Sequence, residues 1–444
     1  PVPPLEERRL GLKCYLTESS PLGGKLKKRP EDFVVNEISN PPPSDPDGEY
    51  QIARIKVYNW ETNRLVRALS KKLGISRLAI GFAGTKDKRA LTTQLFSFKM
   101  GKDRIRDLDL KDVFVLDSYR SNRGLDLGDL LGNNFRILIS DIDKNKQEID
   151  GIMKSSIEMI SEIEGYPNFF GIQRFGAVRP ITHLVGLEIL RGNYREAVMT
   201  YVGKPFPGER KDAIEARKRI EKEADFKSAI EYYPSYYLFE RSIIHYLVKN
   251  EGDWKGALDQ LPLNLKMMFI HAYQSLLYNR ILSERMRRGY SINEPILGDI
   301  LLTLDKKKLP DRHNYVKVTN INIDEMTKLC KQNKAYISAI LPGHESLFAD
   351  GEMGEIEREI TSDENISPDN FNIEEIRGIT SKGIRREIKS TVFDLKWRIQ
   401  GSSNKVEKIN SKGNWNVEMD FSLHRGCYAT TLLREIMKSD IFNY

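Results

Sequence analysis

The sequence lacks several features that would point to a membrane, secreted or metal-binding protein. No apolar run approaches the ~20 residues that a membrane-spanning helix needs, and the start shows no secretory pattern. The three cysteines, Cys14, Cys330 and Cys427, are far apart and form neither a CxxC pair nor a zinc pattern. We therefore predict a cytoplasmic protein with no membrane association, no disulfide framework and no structural metal.

Histidine is also scarce. The six histidines are scattered, without an HExxH pattern and without an evident serine or cysteine partner. Metal-dependent hydrolysis and Ser-His-Asp catalysis consequently have no support in the sequence. No internal repeat and no low-complexity tract is evident.

Length and charge are compatible with a protein of more than one domain and a polyanionic partner. A chain of 444 residues exceeds the ~250–300 residues at which a single core usually stops growing. Hydrophobic residues make up 40% and charged residues 30%, as is typical of globular proteins. The formal charge of +7 is compatible with binding to nucleic acid, but many basic proteins bind none.

Hydrophobic patterning predicts that strands and helices alternate near both ends of the chain. Residues 33–38 and 91–98 are β-prone runs. The apolar residues of a helix between them share one face, and this helix is expected to stop at Gly74. Near the other end, residues 417–423 alternate between apolar and polar, which predicts a strand, and a short helix follows near Thr430.

The middle of the chain has a different character. A patterned helix from about Ile149 is expected to end at Gly165, and a Lys- and Glu-rich segment follows from about residue 190. Its predicted helical stretches are residues 209–224, 239–249 and 265–288. The simplest organisation is a single α/β domain formed by residues 1–190 and 391–444, interrupted by a second domain at residues 191–390.

One acidic residue lies in the densest cationic cluster, a loop between two β-prone runs. The loop reads Gly-Thr-Lys-Asp-Lys-Arg over residues 84–89, with the carboxylate at Asp87. Nearby positive charge favours the ionised carboxylate, which suits nucleophilic or electrostatic catalysis. An ordinary solvated turn has the same composition. A phosphate-binding Walker loop is excluded because Lys86 is followed by Asp87 rather than by Ser or Thr.

Two further clusters combine aromatic and polar residues. Residues 166–176 interleave Tyr and Phe with Asn, Gln and Arg, which can stack on a base and hydrogen-bond its edge. In residues 425–430, Gly426 permits an unusual backbone conformation and Tyr428 is placed to face a ligand. A packed loop and a plain strand-to-helix turn, respectively, remain the alternatives.

Five motifs occur in order across roughly 400 residues. They are Lys27-x-x-Pro30-Glu31-Asp32-Phe33-x-Val35-x-Glu37, Phe82-Ala83-Gly84-Thr85-Lys86-Asp87-Lys88-Arg89-Ala90-Leu91-Thr92-Thr93-Gln94, Gly132-Asn133-Asn134-Phe135, Asn168-Phe169-Phe170-Gly171-x-Gln173-Arg174-Phe175-Gly176 and Gly426-x-Tyr428-Ala429-Thr430-x-x-x-Arg434-Glu435. Together they resemble the TruD family of tRNA pseudouridine synthases. The Lys- and Glu-rich middle segment resembles that of archaeal members.

The resemblance implies an α+β fold, in which a mixed, mostly antiparallel sheet forms the catalytic domain and an α/β TRUD-type domain interrupts it. It implies isomerisation of uridine, at position 13 of tRNA, without a cofactor or metal, and with tRNA bound in the cleft between the domains. The matching positions are Asp87 and Lys86 for catalysis, and Phe33, Asn168, Phe170, Tyr428, Lys27 and Arg174 for substrate binding.

Two other functions are compatible with parts of the pattern. A non-catalytic RNA-binding or RNA-chaperoning protein would use the same cleft without needing Asp87. A glycosidase or nucleotide hydrolase normally has two acidic groups flanking the scissile bond, whereas the motifs here supply one central carboxylate.

Overall fold

The apolar periodicities correspond to regular helices and strands. The computed structural model describes residues 1–101, 104–373, 376, 378–401 and 415–444. The helices are α1 (Leu5–Arg9), α2 (Thr62–Leu73), α3 (Lys146–Glu162), α4 (Thr182–Leu190), α5 (Tyr194–Val202), α6 (Lys211–Glu223), α7 (Phe226–Tyr232), α8 (Leu238–Lys249), α9 (Trp254–Asp259), α10 (Leu263–Arg287), α11 (Ile323–Lys331), α12 (Gly351–Ser362) and α13 (Ala429–Met437). The strands are β1 (Phe33–Ser39), β2 (Tyr50–Tyr58), β3 (Ile80–Phe82), β4 (Leu91–Lys99), β5 (Val113–Ser121), β6 (Leu130–Ile142), β7 (Gly165–Pro167), β8 (Ile300–Leu304), β9 (Pro310–Lys317), β10 (Ala335–Leu341), β11 (Asn372–Ile373), β12 (Ile379–Thr380), β13 (Ile384–Glu387), β14 (Lys389–Gly401) and β15 (Trp415–His424).

The chain divides into two compact units. The first consists of Pro1, Leu16–Tyr166 and Ser390–Tyr444, and the second of Val2–Tyr15 and Pro167–Lys389. Both ends of the chain thus contribute to the first unit. After Tyr166 the chain returns to the second unit at residue 167, earlier than the domain boundary expected at residue 191, and it leaves this unit at residue 389. The division into domains at 190/191 and 390/391 stays a prediction.

A large sheet organises the first unit. In the part of the chain that the structure describes, this sheet has nine strands: eight follow the order β5-β2-β4-β1-β6-β15-β14-β7, and β3 pairs with β4. Strands β1 and β4 are parallel, whereas β6 pairs antiparallel with both β1 and β15. One face of β6 and β15 is apolar and buried, because side chains alternate across a strand. The expected α+β fold with a mixed, mostly antiparallel sheet is confirmed.

Helix α2 packs as its periodicity predicts. Its four large apolar residues, Leu65, Val66, Leu69 and Leu73, are buried. Gly74 has a φ of 65° and donates its N–H to the Ser70 carbonyl, the left-handed cap that glycine favours. Helix α3, however, ends at Glu162, so the expectation that Gly165 ends it is wrong. Glu164 turns the chain with a φ of 51°, and Gly165 already begins β7.

The second unit combines a smaller sheet with many helices. Its four-stranded sheet, in the order β13-β10-β8-β9, is antiparallel. Helix α10 is buried along most of its 25 residues, as expected of a central helix. Among the described residues, no helix is long and apolar enough to cross a membrane.

Three helix pairs of the second unit share a turn motif. The pairs are α4–α5, α6–α7 and α8–α9. Each turn has the same six-residue pattern. A residue with positive φ comes first, followed in order by an Asn or Asp N-cap, an aromatic residue, a cation, any residue and a buried Ala. The three motifs are residues 192–197, 224–229 and 252–257. The expectation that the chain contains no internal repeat is therefore wrong for this segment.

Candidate active site

The loop between β3 and β4 that carries Asp87, residues 84–89, is fixed at its backbone. The N–H of Lys86 donates to the Thr62 hydroxyl at 2.9 Å, and the carbonyl of Gly84 accepts from the Gln94 side chain at 3.1 Å. Both partners belong to regular elements, since Thr62 begins α2 and Gln94 lies in β4. The loop therefore presents Asp87 from a defined position.

A lysine from outside this loop faces the carboxylate. The Nζ atom of Lys27 lies 3.5 Å from Oδ1 of Asp87. The Lys27 side chain is 12% exposed and that of Asp87 is 42% exposed, so the cation is mostly covered while the carboxylate remains accessible. Lys27 has a φ of 55°, and the preceding Leu26 donates its N–H to the Asn443 carbonyl.

The same ammonium lies over an aromatic ring. Nζ of Lys27 is 4.2 Å from the ring centroid of Phe33, a cation–π distance. The Phe33 ring is 1% exposed and packs edge-on against Phe135, with centroids 6.2 Å apart. The structure thus brings Asp87, Lys27 and Phe33 together. Phe33 belongs to the core here, and its stacking on a base stays a prediction.

Lys86 has a different carboxylate partner. Its Nζ atom lies 2.7 Å from Oε2 of Glu37, and both side chains are almost completely buried. Oε1 of Glu37 also accepts the N–H of Leu95 at 3.3 Å. This ion pair joins the loop of residues 84–89 to β1. The cation that faces Asp87 is Lys27, and the catalytic assignment of Lys86 stays a prediction.

Tyr428 lies where β15 gives way to α13. It is the N-terminal flanking residue of α13, and Gly426 before it has a φ of 80°. Its carbonyl accepts from the Tyr166 hydroxyl at 3.1 Å and from the Thr431 hydroxyl at 2.8 Å. These bonds orient the backbone of Tyr428, which is half-buried. The contact of its ring with the substrate stays a prediction.

The second unit holds the other predicted binding residues in a polar network. Asn168 is fully buried, and its amide nitrogen donates to the Glu387 carbonyl at 2.9 Å. Its amide oxygen accepts from Arg386 at 2.8 Å. Burial opposes ionisation of the Glu387 carboxyl, but Arg312 and Arg386 outweigh it and lower the pKa. The Asn168 side chain is thus engaged with protein groups in this structure.

Two guanidinium groups lie against the ring of Phe170. Arg386 is 4.3 Å and Arg174 is 4.9 Å from the ring centroid. Asn279 fixes the Phe170 backbone by accepting its N–H and donating to its carbonyl, each at 2.9 Å. Nε of Arg174 donates to the Ser275 hydroxyl at 3.0 Å. The structure therefore brings Arg174 and Arg386 together at the Phe170 ring, and Asn168 joins them through its hydrogen bond to Arg386.

Sequence reasoning missed the residues that support these side chains. Glu37 belongs to a recognised motif, yet its pairing with Lys86 spans 49 residues and leaves no local signal. Arg386 and Glu387 occur in a charged run that resembles an exposed strand. Both are buried in the structure.

Comparison with known proteins identifies the family. The model of the family described as tRNA pseudouridine synthase D (TruD) matches residues 9–436. The chain belongs to the TruD family. Enzymes of this family are isomerases, and the family resemblance inferred from the five motifs is confirmed.

Named relatives extend over the whole chain. "Probable tRNA pseudouridine synthase D" of Methanococcoides burtonii is 41% identical over 436 residues, covering 98% of each chain. The protein of the same name from Methanosarcina barkeri is 40% identical and also covers 98% of each chain. A crystal structure of the putative TruD from Methanosarcina mazei superposes with a TM-score of 0.86 at 39% identity, covering 99% of both chains.

No metal cluster accompanies these residues. Among the residues described, no group of three or more His, Cys, Asp or Glu side chains is arranged to hold a metal ion.

Proposed function

We propose that this TruD-family chain converts uridine-13 of tRNA to pseudouridine, with Asp87 as the catalytic carboxylate and without a cofactor. The observation that carries the proposal is the contact between Asp87, Lys27 and Phe33. It combines an accessible carboxylate, a mostly covered cation and an aromatic ring on fixed backbone. The family and the names of the relatives support tRNA as the substrate.

The reaction is an internal rearrangement of one nucleotide. The N1–C1′ bond breaks, a C5–C1′ bond forms, and the proton of C5 is replaced by one on N1. Atoms and oxidation state are conserved, so the chemistry requires no redox partner. The target base must leave its stack, which costs a few kcal/mol and less for a poorly paired base.

Asp87 serves this rearrangement in one of three ways: attack on the sugar, attack on the base, or removal of a ribose proton to assist elimination. Each requires an ionised carboxylate that the substrate reaches. The ammonium of Lys27 lies 3.5 Å from the carboxylate, and the 42% exposure of the Asp87 side chain provides access. Lys27 therefore holds and orients Asp87.

Lys86 is assigned a positioning role. Its buried ion pair with Glu37 and its backbone bond to Thr62 hold the loop that carries Asp87. In the second unit, Asn168 holds Arg386 beside the Phe170 ring. We assign Arg174 and Tyr428 to binding of the nucleotide, by hydrogen bonding and by stacking. Phe170, which is 1% exposed, supports the guanidinium groups of Arg174 and Arg386.

A pair of matched variants tests the role of Asp87. Asp87→Asn is expected to abolish pseudouridine formation on unmodified tRNA while its affinity for tRNA stays within about threefold of the parent. Asp141→Asn is the control, because Asp141 is also 42% exposed and pairs with a lysine, Lys28, at 2.8 Å. It is expected to retain full activity.

The assay maps pseudouridine at each position and measures released uracil. Substantial turnover by Asp87→Asn would remove Asp87 from the mechanism. Tight tRNA binding by a parent protein that modifies no uridine would favour the non-catalytic RNA-binding function. Uracil release without pseudouridine would favour a glycosidase, and modification at another position would overturn the assignment of uridine-13.

A further inference from the structure

An N-terminal segment of the second unit is bound tightly across α10. The Leu10 carbonyl accepts from the Asn279 amide at 2.9 Å. The Ser283 hydroxyl donates to the Gly11 carbonyl at 2.6 Å and accepts the Lys13 N–H at 3.0 Å. Both α10 residues are buried, with 0% and 1% exposure. The segment therefore holds its side chains at fixed places beside the helix.

Glycine is needed where the segment comes closest to α10. Gly11 has a φ of 80°, and a Cβ atom there would lie 2.9 Å from Cβ of Asn279. Such a contact is closer than packed carbon atoms allow. The residues on either side of Gly11 are therefore held against α10 by its backbone conformation as well as by hydrogen bonds.

A charged cleft of about 830 Å³ lies between this segment, α10 and the end of α12. Its acidic groups are already paired with arginines of α10 or the residue that follows it. Glu284 lies 2.7 Å from Arg287, and Asp363 lies 3.6 Å from Arg280. Glu359 pairs likewise with Arg288 at 3.0 Å. The guanidinium groups of Arg287 and Arg288 lower the pKa of Glu284 to about 2, so this acid stays ionised and paired.

Three cations of the cleft have no such partner. Arg8, Arg9 and Lys13 are exposed, and none forms an ion pair with an acid of the described chain. Glu7, the acid next to Arg8, is buried and accepts from the Tyr15 hydroxyl. Three cations held in one cleft by a fixed backbone repel one another, and an anion that binds among them relieves this repulsion.

We propose that the cleft formed by Arg8, Arg9, Lys13 and α10 binds the phosphate backbone of the RNA substrate. The inference rests on the proposed function, which supplies a polyanion with a regular spacing of phosphates. Arg and Lys side chains are the usual donors to phosphate oxygens, and they position RNA without reading its sequence. The cleft thus contributes affinity and register, while the chemistry belongs to Asp87.

The test removes the three charges together. In the variant Arg8→Gln/Arg9→Gln/Lys13→Gln, the affinity for unmodified tRNA is expected to fall at least tenfold at about 0.1 M salt. The slope of log K against log salt should become shallower by about 2–3, since each phosphate contact contributes roughly 0.7–0.9. KM should rise with little change in kcat, because the three residues are assigned to binding alone.

Two companion variants separate a local contact from net charge. Lys218→Gln/Lys222→Gln/Lys227→Gln removes three exposed cations of the same unit and should leave the slope unchanged. Arg8→Lys/Arg9→Lys/Lys13→Arg keeps the charges and should retain the slope of the parent. Circular dichroism and thermal unfolding establish that each variant is folded.

The outcomes distinguish this inference from the proposed function. An active parent whose slope is unchanged in the Arg8/Arg9/Lys13 variant would overturn the cleft alone. Equal losses in the Lys218/Lys222/Lys227 control would also overturn it, because net charge would then explain the effect. A parent that does not modify tRNA would instead contradict the proposed function.

Discussion

Removing the buried cation of Lys86 tests whether it positions the loop that carries Asp87 or takes part in the chemistry. Its Nζ atom lies 2.7 Å from Oε2 of Glu37, and the two side chains are 4% and 1% exposed. At an effective dielectric constant of 20, this separation corresponds to an attraction of about 6 kcal/mol. Desolvation of the two ions offsets much of that attraction, so the intact pair contributes little net stability.

Breaking the pair from one side leaves an uncompensated buried charge. Lys86→Met is therefore expected to lower the free energy of unfolding by about 3–5 kcal/mol. Glu37→Gln should cost a similar amount, although its side-chain oxygen still accepts the Leu95 N–H. The double variant Lys86→Met/Glu37→Gln leaves no buried charge at this place, and we expect it to recover most of the loss.

Urea denaturation of the four proteins measures the coupling free energy, and pseudouridine mapping on tRNA reports activity in parallel. A coupling of several kcal/mol, with partial recovery of activity in the double variant, supports a positioning role for Lys86. If the stability losses of the two single variants add up to the loss of the double variant within about 0.5 kcal/mol, the two side chains are not coupled and the structural argument is refuted. A stable double variant without any activity would show that the ammonium itself takes part in the chemistry.

Two further perturbations follow from the structure. Lys27→Ala should lower the rate of pseudouridine formation in single-turnover assays by about 10- to 100-fold, because Asp87 loses the cation that orients it. This loss corresponds to roughly 1.4–2.7 kcal/mol of transition-state stabilisation, whereas Lys27→Arg should retain most of the rate. Equal losses in both variants would contradict this. Burial and the nearby charges of Arg280 and Lys204 lower the pKa of His183 to about 3. The unfolded chain therefore takes up this proton at a higher pH than the folded chain does. The free energy of unfolding should consequently fall as the pH drops below 6.5, by up to about 1.4 kcal/mol per pH unit. His183→Phe should reduce this slope in unfolding experiments at pH 6.5 and 4.5. An identical slope would assign the acid sensitivity to other groups.

Local patterns were enough to predict many elements of the fold. The apolar face of α2 and its glycine stop at Gly74 follow from helical spacing and from the left-handed conformation that glycine favours. The alternation in β15 follows in the same way from the two-residue period of a strand. The turn motif of the three helix pairs was also present in the sequence, but its unequal spacing and varied residues concealed it.

The five motifs were enough to identify the family, because each combines several residues in a fixed order across most of the chain. They placed Asp87, Lys27 and Phe33 in a single site before any contact was known. Motif position does not reveal which charged groups pair with one another, however. The motifs imply a catalytic role for Lys86 next to Asp87, whereas in the structure Lys27 faces the carboxylate and Lys86 pairs with Glu37.

The sequence by itself determined the family, the α+β class and the principal catalytic candidate, because these depend on local patterns and on ordered motifs. Only the tertiary structure decided which charges are buried, which are paired and which face solvent. Glu37 comes to Lys86 from β1, and Asn279 holds Leu10 across 269 residues of chain. Burial and pairing of this kind depend on distances between segments that are far apart in the chain, and no local period encodes those distances.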